Sequence, residues 1–153
     1  MIFCHKYKYW GDVMTSINDV KLLSFPVHGD ARGNLVVIEG GKDKILPFEI
    51  KRVFYIYGTS SDDVRGKHAN KHSALCLVNV CGQSTVRVVD YTGVEKVYTL
   101  NEPHTGLYIP EMIWKDMYNF STDSVLLVFS NEYYDKSEYI SDFDDFLSLA
   151  RRG

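Results

Sequence analysis

No apolar run in the chain approaches the roughly 20 residues that a membrane-spanning helix needs. The opening residues, Met1-Ile2-Phe3-Cys4-His5-Lys6, carry no hydrophobic region of a secretory signal. Cysteine is scarce. Cys4, Cys76 and Cys81 cannot make an even disulfide framework. Cys76 and Cys81 fall in a hydrophobic run and are expected to be buried free thiols. That usage suits a reducing compartment, so a cytoplasmic location is expected. There is no surplus of positive charge either. A net charge of −3 gives no reason to expect nucleic acid or an anionic membrane as partner. Internal repeats, low-complexity tracts and linkers are absent, and 153 residues fit one domain with a real core.

Aromatic residues, by contrast, reach 14%, with eleven tyrosines. Tyrosine favours strands, and its hydroxyl also suits a β-fold with a ligand cavity. Short runs rich in Val, Leu, Tyr and Thr recur about every ten residues, at 21–25, 34–39, 51–57, 71–80, 84–90, 95–100, 105–109, 114–120 and 124–130. Cys81-Gly82-Gln83 and Tyr91-Thr92-Gly93 read as hairpin turns, and Gly29-Asp30-Ala31-Arg32-Gly33 reads as a turn. This spacing predicts an all-β sandwich or barrel. Helical periodicity is confined to 136–151, where Tyr139, Ile140, Phe143, Phe146 and Leu147 recur at three- and four-residue steps. The expected organisation is an N-terminal extension over 1–20, a β-domain over 21–135 and a C-terminal helical segment over 136–153.

The run Arg65-Gly66-Lys67-His68-Ala69-Asn70-Lys71-His72 follows the strand-like Arg52-Val53-Phe54-Tyr55-Ile56-Tyr57. In an extended chain alternate side chains share a face, so His68, Asn70 and His72 are expected together, with Arg65 just ahead. Metal-binding jelly rolls of the cupin type place ligands in two stretches: His-x-His with a following carboxylate or amide, then Pro-x-Gly-x-x-His-x-x-x-Asn. Both frames can be located. In the first, His68 is present, Asn70 replaces the second histidine, and Ala74 and Leu75 occupy the carboxylate or amide position. In the second, Pro110 and Asn119 keep their places while Met112 and Lys115 replace glycine and histidine. A divalent site needs three or four N, O or S donors, and an ammonium among them repels a cation. No metal is expected. The two frames together predict a double-sheet antiparallel jelly roll with a C-terminal helix.

With these segments in order, the chain resembles the dTDP-4-oxo-6-deoxyglucose 3,4-ketoisomerases, small metal-free cupins that also occur as WxcM-like domains. The resemblance runs from about residue 20 to 149. It is carried by Asp30-Ala31-Arg32-Gly33-Asn34-Leu35, by Pro47 to Ile56, by Arg65-Gly66-Lys67-His68-Ala69, by Gly106-Leu107-Tyr108-Ile109-Pro110 with Trp114, and by Ser130 to Asp135 with Glu138-Tyr139-Ile140. It implies a cofactor-free isomerase that moves the ketone of a dTDP-4-keto-6-deoxyhexose from carbon 4 to carbon 3, in deoxyamino-sugar biosynthesis. It also implies a homodimer with the dTDP-sugar inside each barrel. The family pattern is Arg-Gly-x-His-Ala-His-Lys, then a Gln, and its second histidine is the expected base. This chain has Asn70 there, Leu75 at the Gln, and Lys115 where members carry a histidine after the tryptophan.

Ketone migration passes through an enediolate, so the site needs a base near neutral pKa and donors where negative charge develops. Asn70 has no titratable proton and can only orient or hydrogen-bond. The candidate catalytic groups are His68, Lys115 and Tyr57; Tyr55 is the alternative hydroxyl. Candidate binding residues are Arg65 for the diphosphate, with Asn70, Tyr55, His72 and Arg32. Each has a plain structural reading beside it: hydrogen-bonded strand histidines, a solvent-facing lysine, packed tyrosines, surface arginines. Two other functions stay open: a non-catalytic sugar-nucleotide binder, and an isomerase or epimerase for a different nucleotide sugar. His5, His28 and His104 are expected at the surface.

Overall fold

The computed structural model describes residues 14–152. Cys4, His5 and the aromatic N-terminal segment lie outside them. Among the described residues twelve strands precede one α-helix. They are β1 (Lys21–Ser24), β2 (Val27–Asp30), β3 (Gly33–Val36), β4 (Arg52–Tyr57), β5 (Arg65–Asn70), β6 (Leu75–Cys81), β7 (Ser84–Val89), β8 (Glu95–Leu100), β9 (Thr105–Ile109), β10 (Trp114–Tyr118), β11 (Val125–Ser130) and β12 (Tyr139–Ile140); the helix is α1 (Phe143–Arg151). Two five-stranded sheets, ordered β1-β9-β6-β11-β4 and β12-β5-β10-β7-β8, face each other, and β2-β3 forms a separate hairpin. This is the expected jelly roll. No helix among the described residues is long and apolar enough to cross a membrane.

Alternation within strands builds the core between the sheets. Leu75 and Leu77 of β6, Val86 and Val88 of β7, and Leu126 and Val128 of β11 point inward to one cluster. Cys76 and Val78 point the other way, into a second cluster with Phe25, Leu46, Phe48 and Phe129. Covered on both faces, β6 reads as a continuous apolar run rather than an alternating one. Truncating a fully buried side chain such as Leu126 to Ala costs about 2–5 kcal/mol in this setting.

Several local expectations change. The helix is shorter than 136–151. Asp135 caps a single 3-10 turn (Lys136–Glu138), Tyr139 and Ile140 pair with Asn70 and Ala69 as β12, and Asp142 caps α1 by accepting from Asp145 N at 2.9 Å. Long-range pairing with β5 overrides helical periodicity here. Phe146 of α1 is fully buried, and Phe143 meets the Trp114 ring edge-on at 5.1 Å. Cys76 is buried as expected, and burial pushes its thiol up to about 12. Cys81 is exposed, because β6 outruns the inner cluster at the Gly82 turn. His28 lies in a strand, β2, yet remains exposed.

Candidate functional site

A bulge sets the geometry of the site. His68 stands opposite Lys115, while Gly66 stands opposite Asp116. One residue of β10 is therefore matched by two of β5, and Lys67 is the extra one. Lys67 has φ 54° and Gly66 φ 83°. At Gly66 a Cβ would come within 2.8 Å of the Lys115 carbonyl oxygen, so only glycine fits this approach. A bulge reverses the alternation beyond it. Arg65 thereby shares the inner face with His68 and Asn70, although it lies three residues from the histidine.

These residues line a cavity of about 190 Å³ between the sheets. Its polar lining is Arg52, Arg65, His68, Asn70, Lys115 and Tyr139, backed by Phe54, Ile56, Leu75, Leu77, Met117 and Val128. The volume is below the ~300–1,000 Å³ that encloses a drug-sized ligand. It suits one ring of a larger molecule, with the remainder toward the exposed Arg65.

Lys115 is only 1% exposed. Burial lowers its pKa to about 7, and the nearby Glu138 carboxylate offsets this only in part. His68 is lowered to about 4, first by burial and then by the Lys115 charge; the Gly66 carbonyl, the Asn70 amide and Asp116 pull the other way. His68 Nδ1 lies 2.9 Å from the Gly66 carbonyl. A carbonyl only accepts, so Nδ1 carries the proton and Nε2 presents its lone pair. The imidazole packs on the Tyr139 ring at 4.8 Å. Asn70 is 1% exposed. Its amide lies near enough to favour a charged imidazole, yet its Oδ1 closes no hydrogen bond of ordinary geometry with a described residue.

The structure thus gathers His68, Lys115, Asn70 and Arg65 on one cavity. Tyr55 borders it through its strand, but alternation sends the ring outward. Arg52, Phe54 and Ile56 take the inner face of β4, whereas Tyr55 stacks 5.9 Å from Tyr57. Tyr57 is 70% exposed and does not line the cavity. His72 also lies outside it. β5 ends at Asn70, and the buried Glu138 carboxylate bends the next residues away by accepting from His72 N at 2.9 Å, from Ser73 N, and from Ser73 Oγ at 2.7 Å. Arg32 sits at the tip of the β2-β3 hairpin, its side chain 90% exposed and paired with Asp30.

Sequence reasoning missed three residues. Arg52 heads the inner set of β4, and the apolar Phe54 and Ile56 beside it were the available signal. Tyr139 was assigned to a helix. Glu138 had no local signal, because its partners are 65 and 66 residues away. Among the described residues no cluster of His, Cys, Asp and Glu could hold a metal ion.

A double-sheet jelly roll with cationic groups inside its barrel defines a cupin-type pocket for an anionic small molecule. The chain belongs to the FdtA family, described as WxcM-like, C-terminal, whose model matches residues 18–151. It is 39% identical over 126 residues to the TDP-4-oxo-6-deoxy-alpha-D-glucose-3,4-oxoisomerase of Aneurinibacillus thermoaerophilus, covering 82% of this chain and 88% of that protein. QdtA, a sugar 3,4-ketoisomerase of Thermoanaerobacterium thermosaccharolyticum solved in complex with TDP, superposes with a TM-score of 0.84 at 37% identity, over 89% of this chain and 97% of QdtA. WlaRA, a TDP-fucose-3,4-ketoisomerase of Campylobacter jejuni, gives 0.80 at 41% identity, over 86% and 96%.

Proposed function

We propose that this chain is a 3,4-ketoisomerase acting on a TDP-linked 4-keto-6-deoxy sugar, in the biosynthesis of deoxyamino sugars. The observation that carries this reading is the inward-facing pair on the bulge: an amine with pKa about 7 opposite a neutral imidazole, in the barrel of a family member. The A. thermoaerophilus, T. thermosaccharolyticum and C. jejuni relatives support the reaction class.

Two protons must move. The carbon-bound one leaves carbon 3, giving an enediolate, and returns to carbon 4. The oxygen-bound one passes from the hydroxyl at carbon 3 to the former ketone at carbon 4. Lys115 is the carbon base. At neutral pH a large fraction is free amine, and its pKa matches the working range better than that of His68. Once protonated, its ammonium balances the enediolate charge and then protonates carbon 4. His68 carries the oxygen-bound proton through Nε2. Asn70 orients and Arg65 holds the diphosphate. Tyr139, rather than Tyr57, is the tyrosine whose ring meets His68 at the cavity.

The chain also acts as a homodimer in this reading. Support comes from Val53, Tyr55 and Tyr57 exposed together along β4, an edge strand, an arrangement that invites a partner surface. A light-scattering mass near twice 17.6 kDa is expected, and a monomer at micromolar concentration contradicts it.

Asn70 in place of the expected histidine favours a second reading, a TDP-sugar binder without turnover. Nuclear magnetic resonance of TDP-4-keto-6-deoxyglucose incubated with the protein decides between them. Appearance of the 3-keto isomer supports the isomerase, and binding with no isomer formed supports the binder.

A further inference from the structure

Two side-chain atoms among the described residues are buried without a hydrogen-bond partner: Arg52 Nε and Asn70 Oδ1. Both residues line the same cavity. Buried polar groups are nearly always satisfied, so one orphan donor and one orphan acceptor on one cavity define what its occupant supplies.

The guanidinium of Arg52 is held from several sides. It lies 5.2 Å from the Phe54 ring centre and 5.7 Å from that of Tyr134, and Nη2 donates to Ser130 Oγ at 3.5 Å. Its place along the barrel follows from register. Ser130 pairs with Arg52 on one side and Leu75 on the other, and Leu75 follows the turn that ends the strand of Asn70. Arg52 therefore stands at the Asn70 end. Arg65 begins that strand, about 15 Å away at ordinary strand rise.

We propose that Arg52 and Asn70 together recognise the α-hydroxyketone of the sugar. Arg52 Nε–H donates to the ketone oxygen, and Asn70 Oδ1 accepts from the hydroxyl on the adjacent carbon. This rests on the ketoisomerase reading and adds the two groups that fix the reacting atoms. As negative charge builds on the ketone oxygen, the Arg52 bond passes from cation–neutral to cation–anion and strengthens. When the hydroxyl proton passes to His68, Asn70 Oδ1 remains as an acceptor beside the new imidazolium. Asn70 is then a working part of the site rather than a vacancy left by a histidine.

The test compares kcat/KM for TDP-4-keto-6-deoxyglucose with the affinity for TDP alone, in wild type, Arg52→Gln, Arg52→Lys and Asn70→Leu. Each variant is expected to lose about tenfold or more in kcat/KM, the scale of one buried hydrogen bond, with TDP affinity within about twofold of wild type. Retained TDP binding also shows an intact fold, and Arg52→Lys keeps the charge should Arg52→Gln not fold. Unchanged kcat/KM overturns the proposal. So does a parallel loss of TDP affinity, which moves Arg52 to the diphosphate. A wild type without turnover defeats the ketoisomerase reading instead. The same variants are then compared by calorimetry, and this inference stands only if they lose the affinity that the keto sugar adds to TDP.

Discussion

Replacing Lys115 with methionine should stabilise the protein below neutral pH while removing its activity. Lysine and methionine have similar length, so the cavity wall is kept and the charge is lost. Unfolded, the amine has its ordinary pKa of 10.5; folded, burial lowers it to about 7. Between these values the unfolded chain binds more protons than the folded one, so stability rises with pH across that window. Below about 7 the folded protein carries the whole penalty of a charged ammonium in the barrel. The gap, at about 1.4 kcal/mol per pH unit, corresponds to about 5 kcal/mol. Urea unfolding at pH 6 and pH 9 samples about two pH units of this window, about 3 kcal/mol. Wild type should gain about 3 kcal/mol more between the two than Lys115→Met, and the variant should be the more stable protein at pH 6. His68 adds a rise between about 4 and 6.5 whose burial part remains in the variant and whose Lys115 part is lost with the charge; that window lies almost wholly below pH 6, so the difference between pH 6 and pH 9 still reads chiefly Lys115. Equal pH dependence in the two would show that the ammonium is solvated, and would remove the basis for Lys115 as a neutral-pH base.

Three further outcomes follow from the site. Turnover should fall as pH drops through about 7, as the Lys115 amine is protonated, and Lys115→Met should lose about 10²–10⁴-fold in kcat. Arg65→Ala should weaken TDP binding by about 1.5–3 kcal/mol in calorimetry, the range for a hydrogen bond to a charged group. Glu138→Ala should cost at least about 2 kcal/mol in urea unfolding, because the His72 and Ser73 donors lose a buried carboxylate.

The jelly roll was legible because strand spacing and turn residues are local properties: the hairpin at Gly93 falls where its turn residues place it, whereas the turn at Gly82, expected as a hairpin, carries the chain from one sheet to the other, a choice of partner that local sequence does not record. The His68–Asn70 face was legible for the same reason, since period two holds within one strand. What failed depended on partners far along the chain. The bulge at Lys67 exists only against β10, so the inward turn of Arg65 had no sign in its own segment. His72 leaves the strand because Glu138 captures the turn. In β4 the alternation was visible but not its phase. Choosing the tyrosine set over the Arg52-Phe54-Ile56 set put Tyr57 in the site and left Arg52 out. The length of α1 was misjudged because Tyr139 and Ile140 satisfy a helical period and a strand pairing equally well in sequence.

The central claim is that Lys115 carries the proton between carbon 3 and carbon 4. Conversion of TDP-4-keto-6-deoxyglucose in heavy water tests it directly. The amine enters the reaction carrying two deuterons, takes one protium from carbon 3, and becomes an ammonium with three equivalent hydrogens. Rotation mixes them before one returns to carbon 4. Deuterium at carbon 4 in about two-thirds or more of the first-formed 3-keto product is the predicted result. Product whose carbon 4 carries the protium that left carbon 3, with no deuterium from solvent, or recovery of unlabelled starting sugar with no conversion, would contradict it.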